Sequence, residues 1–237
     1  MQGKTGETES SGRWRRLDLS FAAWNRELDK CEACSEAGYG NAIEGRPKPS
    51  VQFRLYPRWK PKEVKVLFVA EAPPWLRTGQ EPRYFYNPKV YNGTRRSLLA
   101  QLGIKDYGER GLEEFKEKGY LLSDTVKCRL YTKDGVPEPV VERCVTNFLS
   151  KEVPLLEPEK IVLLGGTALR GMVHSLMAGG HVQESERLKR WRQVTKHCGE
   201  TIKVDGSTLI VYVFPNTRPD NMAAMRRLPL PVLLKDC

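Results

Sequence analysis

Cys31 and Cys34 form a C-x2-C pair, and Cys128 and Cys144 follow far downstream in the 237-residue chain. Thiols become strong, soft donors once deprotonated, so four at such spacings can converge on a metal ion or an iron–sulfur cluster. The close pair sets two donors on one tight loop, and the distant pair closes the site. A centre built this way ties the N-terminal segment to the body of the fold. Six cysteines in an intracellular protein argue for metal ligation or free thiols before disulfides. Cys198 and Cys237 stand alone and receive no role.

The elements that position these thiols follow from apolar spacing. SFAAWNRELDKC carries Phe21, Trp24 and Leu28 at helical intervals behind a serine, which predicts a helix delivering Cys31. PEPVVERCVTNFLSKEVPLL opens with prolines and continues at helical spacing, so Cys144 is expected on a helix. The glycine-, proline- and arginine-rich stretch 35–60 is expected to be an irregular basic loop. Four apolar runs, VKVLFVA (64–70), YLLSDTVKC (120–128), KIVLLGG (160–166) and TLIVYVF (208–214), read as buried strands. Helices are expected over TRRSLLAQLGI, GLEEFKEKG, TALRGMVHSLM and MAAMRRL. ESERLKRWRQVTKH fits either a short helix or an ordered insertion.

Strands alternating with helices indicate a single-domain, three-layer α/β/α fold with a four-stranded, mainly parallel central sheet. Ligands bind such sheets at the carboxyl ends of their strands. Four loops are expected on that edge: Glu71–Asn92, Asp124–Pro137, Gly165-Gly166 and Phe214–Met222. Residues 1–13 read as a disordered tail and residues 14–237 as one domain. The polar N-terminus lacks an apolar signal-peptide core, and no run of about 18 apolar residues occurs, so a cytoplasmic protein is expected. A net charge of +10 favours polyanionic partners, because phosphate neutralisation releases condensed counterions.

Set in order, VLFVAEAPP, YLLSDTVKCR, KIVLLGGTALRGM and VYVFPNTRPDN resemble the strand-end motifs of the uracil-DNA glycosylase superfamily. The iron–sulfur-containing branches are the most similar. The resemblance spans residues 28 to 226, and the Cys128-to-Cys144 spacing matches the last two cluster ligands of those branches. It implies a [4Fe–4S] cluster on Cys31, Cys34, Cys128 and Cys144; donor chemistry alone leaves a four-cysteine zinc site open. It also implies a DNA glycosylase that flips a damaged base out of the helix and hydrolyses its N-glycosidic bond. In that reading Glu71 is the carboxylate beside the sugar. Ala72 and Pro73 floor the base pocket. Tyr84, Phe85 or Tyr86 stacks on the base, with Phe85 preferred. Asn216, Thr217 and Arg218 meet phosphates, and Met222 wedges into the vacated stack. Arg95, Arg96 and the stretch 187–196 are further backbone contacts. A monomer is the default assembly.

Two positions depart from the family pattern. Asp124 stands where the iron–sulfur branches have a uracil-reading asparagine. An ionised carboxylate only accepts hydrogen bonds and repels the oxygens of uracil, whereas a carboxyl kept protonated by burial can donate. Asp124 could equally act on the water or on the developing cation. Phe214 replaces the histidine that donates to the leaving base, and one lost donor of that kind costs about 3 kcal/mol. His174, His181 and His197 are expected elsewhere. The readings in contention are a glycosylase of altered base preference, a non-catalytic nucleic-acid-binding module with the same fold, and a redox-active cluster protein.

Overall fold

The computed structural model describes residues 20–40, 43–44, 48–74, 83–130, 135–216 and 218–235, with only the backbone described at 43–44 and 129–130. The expected tail 1–13, Thr217 and Cys237 lie outside the described residues. Helix α1 (Phe21–Lys30) starts at Ser20, whose hydroxyl accepts from the Ala23 amide at 3.2 Å. It buries Trp24 and Leu28. Strand β1 (Ile43–Glu44) and helix α2 (Pro49–Gln52) follow.

The 35–60 region is not an irregular loop where it is described. It winds into short helical turns at Ser35–Tyr39, α2 and Leu55–Trp59. Leu55, Tyr56 and Trp59 drive this by filling the core.

Strand β2 (Val66–Ala70) leads through the aromatic loop to α3 (Gly93–Gln101) and α4 (Glu109–Glu117). Then come β3 (Tyr120–Asp124), β4 (Arg129–Leu130), α5 (Glu138–Cys144) and, after a π-helical turn, α6 (Ser150–Leu156). The last third holds β5 (Lys160–Leu164), α7 (Gly166–Ala178), α8 (Val182–Lys189), β6 (Thr201–Val204), β7 (Ser207–Tyr212), α9 (Pro219–Arg227) and α10 (Leu230–Leu233). All four predicted strands form, and α5 carries Cys144 on its final residue as the spacing requires.

The sheet has five strands rather than four, in the order β3-β2-β5-β7-β6. β3, β2, β5 and β7 are parallel, and β6 pairs antiparallel with β7 at the edge. β6 was missed because its signal is short: Thr201-Ile202-Lys203-Val204 alternates out and in before an Asp205-Gly206 turn. Both turn residues have positive φ, 49° and 87°, the backbone that a two-residue hairpin demands. On the opposite edge, the Leu122 amide donates to the Tyr86 hydroxyl at 2.7 Å, so the aromatic loop covers β3.

The parallel strands bury both faces, which is why they read as continuous apolar runs. Helix α7 packs tightly behind them: a Cβ on Gly171 would stand 2.3 Å from Thr125 Cγ2. That close approach locks α7 against the segment leaving β3.

Candidate active site

Register brings the two predicted acidic residues together. Ala70 pairs with Asp124 across β2 and β3, so Glu71 and Asp124 leave adjacent strand ends. Beyond the strands the chains stay joined, because the Thr125 amide donates to Ala70 O at 2.8 Å and the Val126 amide to Glu71 O at 3.0 Å. Glu71 faces a cleft of about 590 Å³, within the size range of small-molecule sites. Ala72, Pro73, Gly165, Gly166, Phe214, Asn216 and Arg218 share its lining, so all four expected loops contribute, Gly135 standing for the one after β3.

The Glu71 carboxylate is held in place. Thr167, in the first turn of α7, donates to Glu71 Oε2 at 3.1 Å, and Arg170 donates to Thr167 Oγ1 at 3.2 Å. The N-terminal end of the 13-residue α7 also favours negative charge at this point. Sequence reasoning missed Thr167 because its role depends on a contact between elements that lie far apart in the chain.

Asp124 is only 6% exposed and stands beside the cleft rather than in its lining. Burial pushes its carboxyl up to about 7; Lys127 opposes the rise, while Glu152 and Glu71 add to it. Behind it runs a buried polar network. Lys127 Nζ donates to Asp124 O at 2.6 Å and to Ser123 Oγ at 2.7 Å, and pairs with Glu152. Glu152 also accepts from Ser123 Oγ at 2.6 Å and from the Tyr56 hydroxyl.

The aromatic residues divide differently from expectation. Tyr84, Phe85 and Tyr86 are all buried: Phe85 packs on Phe115, Tyr84 stacks on Phe53 and Tyr86 stacks on Trp59. None of the three lines the cleft. Among the described residues of this loop the exposed aromatic is Tyr91, 64% exposed and three residues before the cleft-lining Thr94. Arg95, expected at a phosphate, is buried and donates to the carbonyls of Phe85, Asn87 and Val90 at 2.6–2.9 Å. It braces the loop from inside. Arg96 is exposed and lies over the Tyr107 ring.

The loop after β7 is shaped by amides. The Asn221 side chain donates to Phe214 O and to Asn216 Oδ1, both at 3.0 Å, and the Arg218 amide donates to Asn216 Oδ1 at 3.0 Å. Gly165, at φ +90°, leaves room for Phe214: a Cβ there would lie 3.3 Å from the phenylalanine Cβ. Met222 is half-buried on α9.

The family model described as the uracil DNA glycosylase superfamily matches residues 57–231. The chain belongs to that superfamily. Its members generally hydrolyse N-glycosidic bonds and act on DNA. Comparison with curated proteins gives no match. No histidine lines the cleft among the described residues. His174 pairs with Glu138, His181 with Asp205, and His197 stacks on Trp191. No helix among the described residues is long and apolar enough to cross a membrane.

The superfamily match begins after Cys34, yet the fold brings all four predicted thiols together. Cys31, Cys34, Cys128 and Cys144 line one small cavity with Lys48 and Lys127. None of the four is in a disulfide. Burial and mutual crowding push the Cys34 thiol up to about 11, and burial pushes Cys144 up to about 12. Lys48 Nζ donates to Cys128 Sγ at 3.0 Å and the Lys127 amide to Cys144 Sγ at 3.3 Å. Among the described residues no set of three His, Cys, Asp or Glu could hold one metal ion.

Proposed function

We propose that the protein is a monofunctional DNA glycosylase with a base preference shifted from uracil, and that its four cysteines hold a [4Fe–4S] cluster. The observation that carries the enzymatic reading is the placement of Glu71 and Asp124 at adjacent strand ends, Glu71 in the lining of a cleft of about 590 Å³ and Asp124 beside it. A flipped nucleotide enters over Ala72 and Pro73, with Tyr91 free to stack on the base and Asn216 and Arg218 at the mouth.

As the N-glycosidic bond lengthens, the sugar gains positive charge and the base takes the bonding electrons. Glu71, fixed by Thr167, stabilises that cation and orients the water that adds to the sugar. With its carboxyl raised to about 7, Asp124 is part-protonated at neutrality and in that form can donate to a base oxygen, which an ionised carboxylate cannot. Arg218 and loop amides are left to meet the negative charge that the family's histidine would meet. Among the described residues no lysine lines the cleft.

The cluster reading is supported by the donor set. Three buried sulfurs and that of the half-buried Cys31 share one cavity and are met by N–H groups from Lys48 and Lys127, a donor set that suits a four-thiolate iron–sulfur centre. When bound, it supplies a covalent brace between the α1 segment and the body of the fold. Metal analysis distinguishes it from zinc: iron and sulfide in equal amounts, with a brown colour, support it, and stoichiometric zinc refutes it.

The activity is tested with duplex and single-stranded oligonucleotides carrying uracil, hypoxanthine, xanthine or alkylated bases. We expect alkali-labile abasic sites on at least one lesion, and a loss of about 10²-fold or more in Glu71→Gln. Tight binding with no abasic product on the whole panel would instead establish the non-catalytic module.

A further inference from the structure

Lys127 and Glu152 are charged yet 2% and 0% exposed at the side chain, an arrangement that needs a reason because burying a pair rarely improves on an apolar core. Their partners suggest the reason. Lys127 Nζ holds Asp124 O and Ser123 Oγ, while the Lys127 amide holds Cys144 Sγ. Glu152, from α6, gathers Lys127, Ser123 and the Tyr56 hydroxyl. One residue therefore touches all three: its side chain fastens the end of β3 to α6, and its main-chain amide meets the thiol cavity.

From this geometry we infer that the Lys127–Glu152 pair is a positioning device for Asp124. It fixes the main chain that presents this carboxyl beside Glu71. The inference concerns the same site as the glycosylase reading, but its physical content is independent of turnover. Two features support it. The segment Asp124–Val126 has its own bonds to β2, at Ala70 O and Glu71 O, which a loosened pair would let breathe. Asp124 also senses Lys127 and Glu152 along with Glu71, and Tyr84 and Tyr86 sense Asp124 from the aromatic loop.

The test uses the intact protein, the Lys127→Met variant and the neutral pair Lys127→Met/Glu152→Gln, which leaves no buried charge unmatched. Amide exchange is followed at Thr125 and Val126 and, as an internal reference, along β5 at the sheet centre. The Asp124 carboxyl is titrated by its ¹³C shift, assigned with Asp124→Asn. We expect exchange at Thr125 and Val126 to quicken about tenfold or more while β5 keeps its protection. The Asp124 midpoint should rise, because Lys127 is the stronger of the two opposing influences on it.

Equal loss of protection everywhere, or an Asp124 midpoint falling to the ordinary carboxylate range, marks a general core brace and overturns the inference. Unchanged exchange and midpoint in a folded variant overturn it as well. None of these readouts requires excision, so the pair can act on Asp124 in a protein that cleaves nothing, and the glycosylase reading can hold if the pair does not.

Discussion

Asp124 gives the clearest residue-scale prediction. Its carboxyl titrates near 7 in the folded chain and near 3.9 in the unfolded one. Between those values the native state keeps a proton that the unfolded state releases, so raising pH favours unfolding. The stabilisation is complete below about pH 4, declines through the window and is gone above about 7. With each unit equivalent to about 1.4 kcal/mol, the swing is of the order of 4 kcal/mol. Asp124→Asn should flatten this slope, and urea unfolding of both proteins at pH 4.5 and pH 7.5 measures the difference. An identical pH slope in the two proteins would show that Asp124 is already ionised at neutrality.

At the scale of elements, the 83–92 loop depends on Arg95 more than on its aromatic residues alone. Three carbonyls converge on one buried guanidinium, so Arg95→Ala strands three acceptors and removes a charge that cannot be replaced by water. We expect a loss of about 2–4 kcal/mol in urea unfolding, with a quicker opening of the loop seen by limited proteolysis. This loop also marks where local sequence stops being informative. The four parallel strands were legible because burial on both faces writes an unbroken apolar run. Phe85 and Tyr91 are both aromatic residues in one polar, proline-punctuated stretch, and nothing local says which is buried against Phe115 and which is 64% exposed. β6 was legible in principle from Val204-Asp205-Gly206-Ser207, a hairpin signal hidden by the basic segment before it. Thr167 and the Lys127–Glu152 pair were not, since each depends on contacts between elements that only the fold brings near.

On the scale of the whole molecule, the thiol cavity joins segments that lie far apart in the chain. Cys31 and Cys34 come from α1 and its exit, Cys128 from the chain after β3, and Cys144 from α5. If the cavity is filled by a metal centre, removing it frees a long loop and exposes buried thiols at once. Chelation under reducing conditions should lower the melting temperature by several degrees and open the segment before β2 to protease, with β5 and β7 protected longest. A chelated protein that melts and resists digestion like the untreated one would show that the four sulfurs brace nothing.

The hairpin that adds β6 to the sheet also decides how that sheet ends. A parallel sheet stopped at β7 would show an apolar rim of unpaired amides and carbonyls to any neighbour in solution. β6 takes that rim for itself and sets Thr201 and Lys203 outward in place of further valines and isoleucines. A lysine along an open strand repels its own copy in another molecule. The short strand nobody would need for chemistry therefore acts as a guard rail, keeping a sticky α/β core from stacking edge to edge with others of its kind.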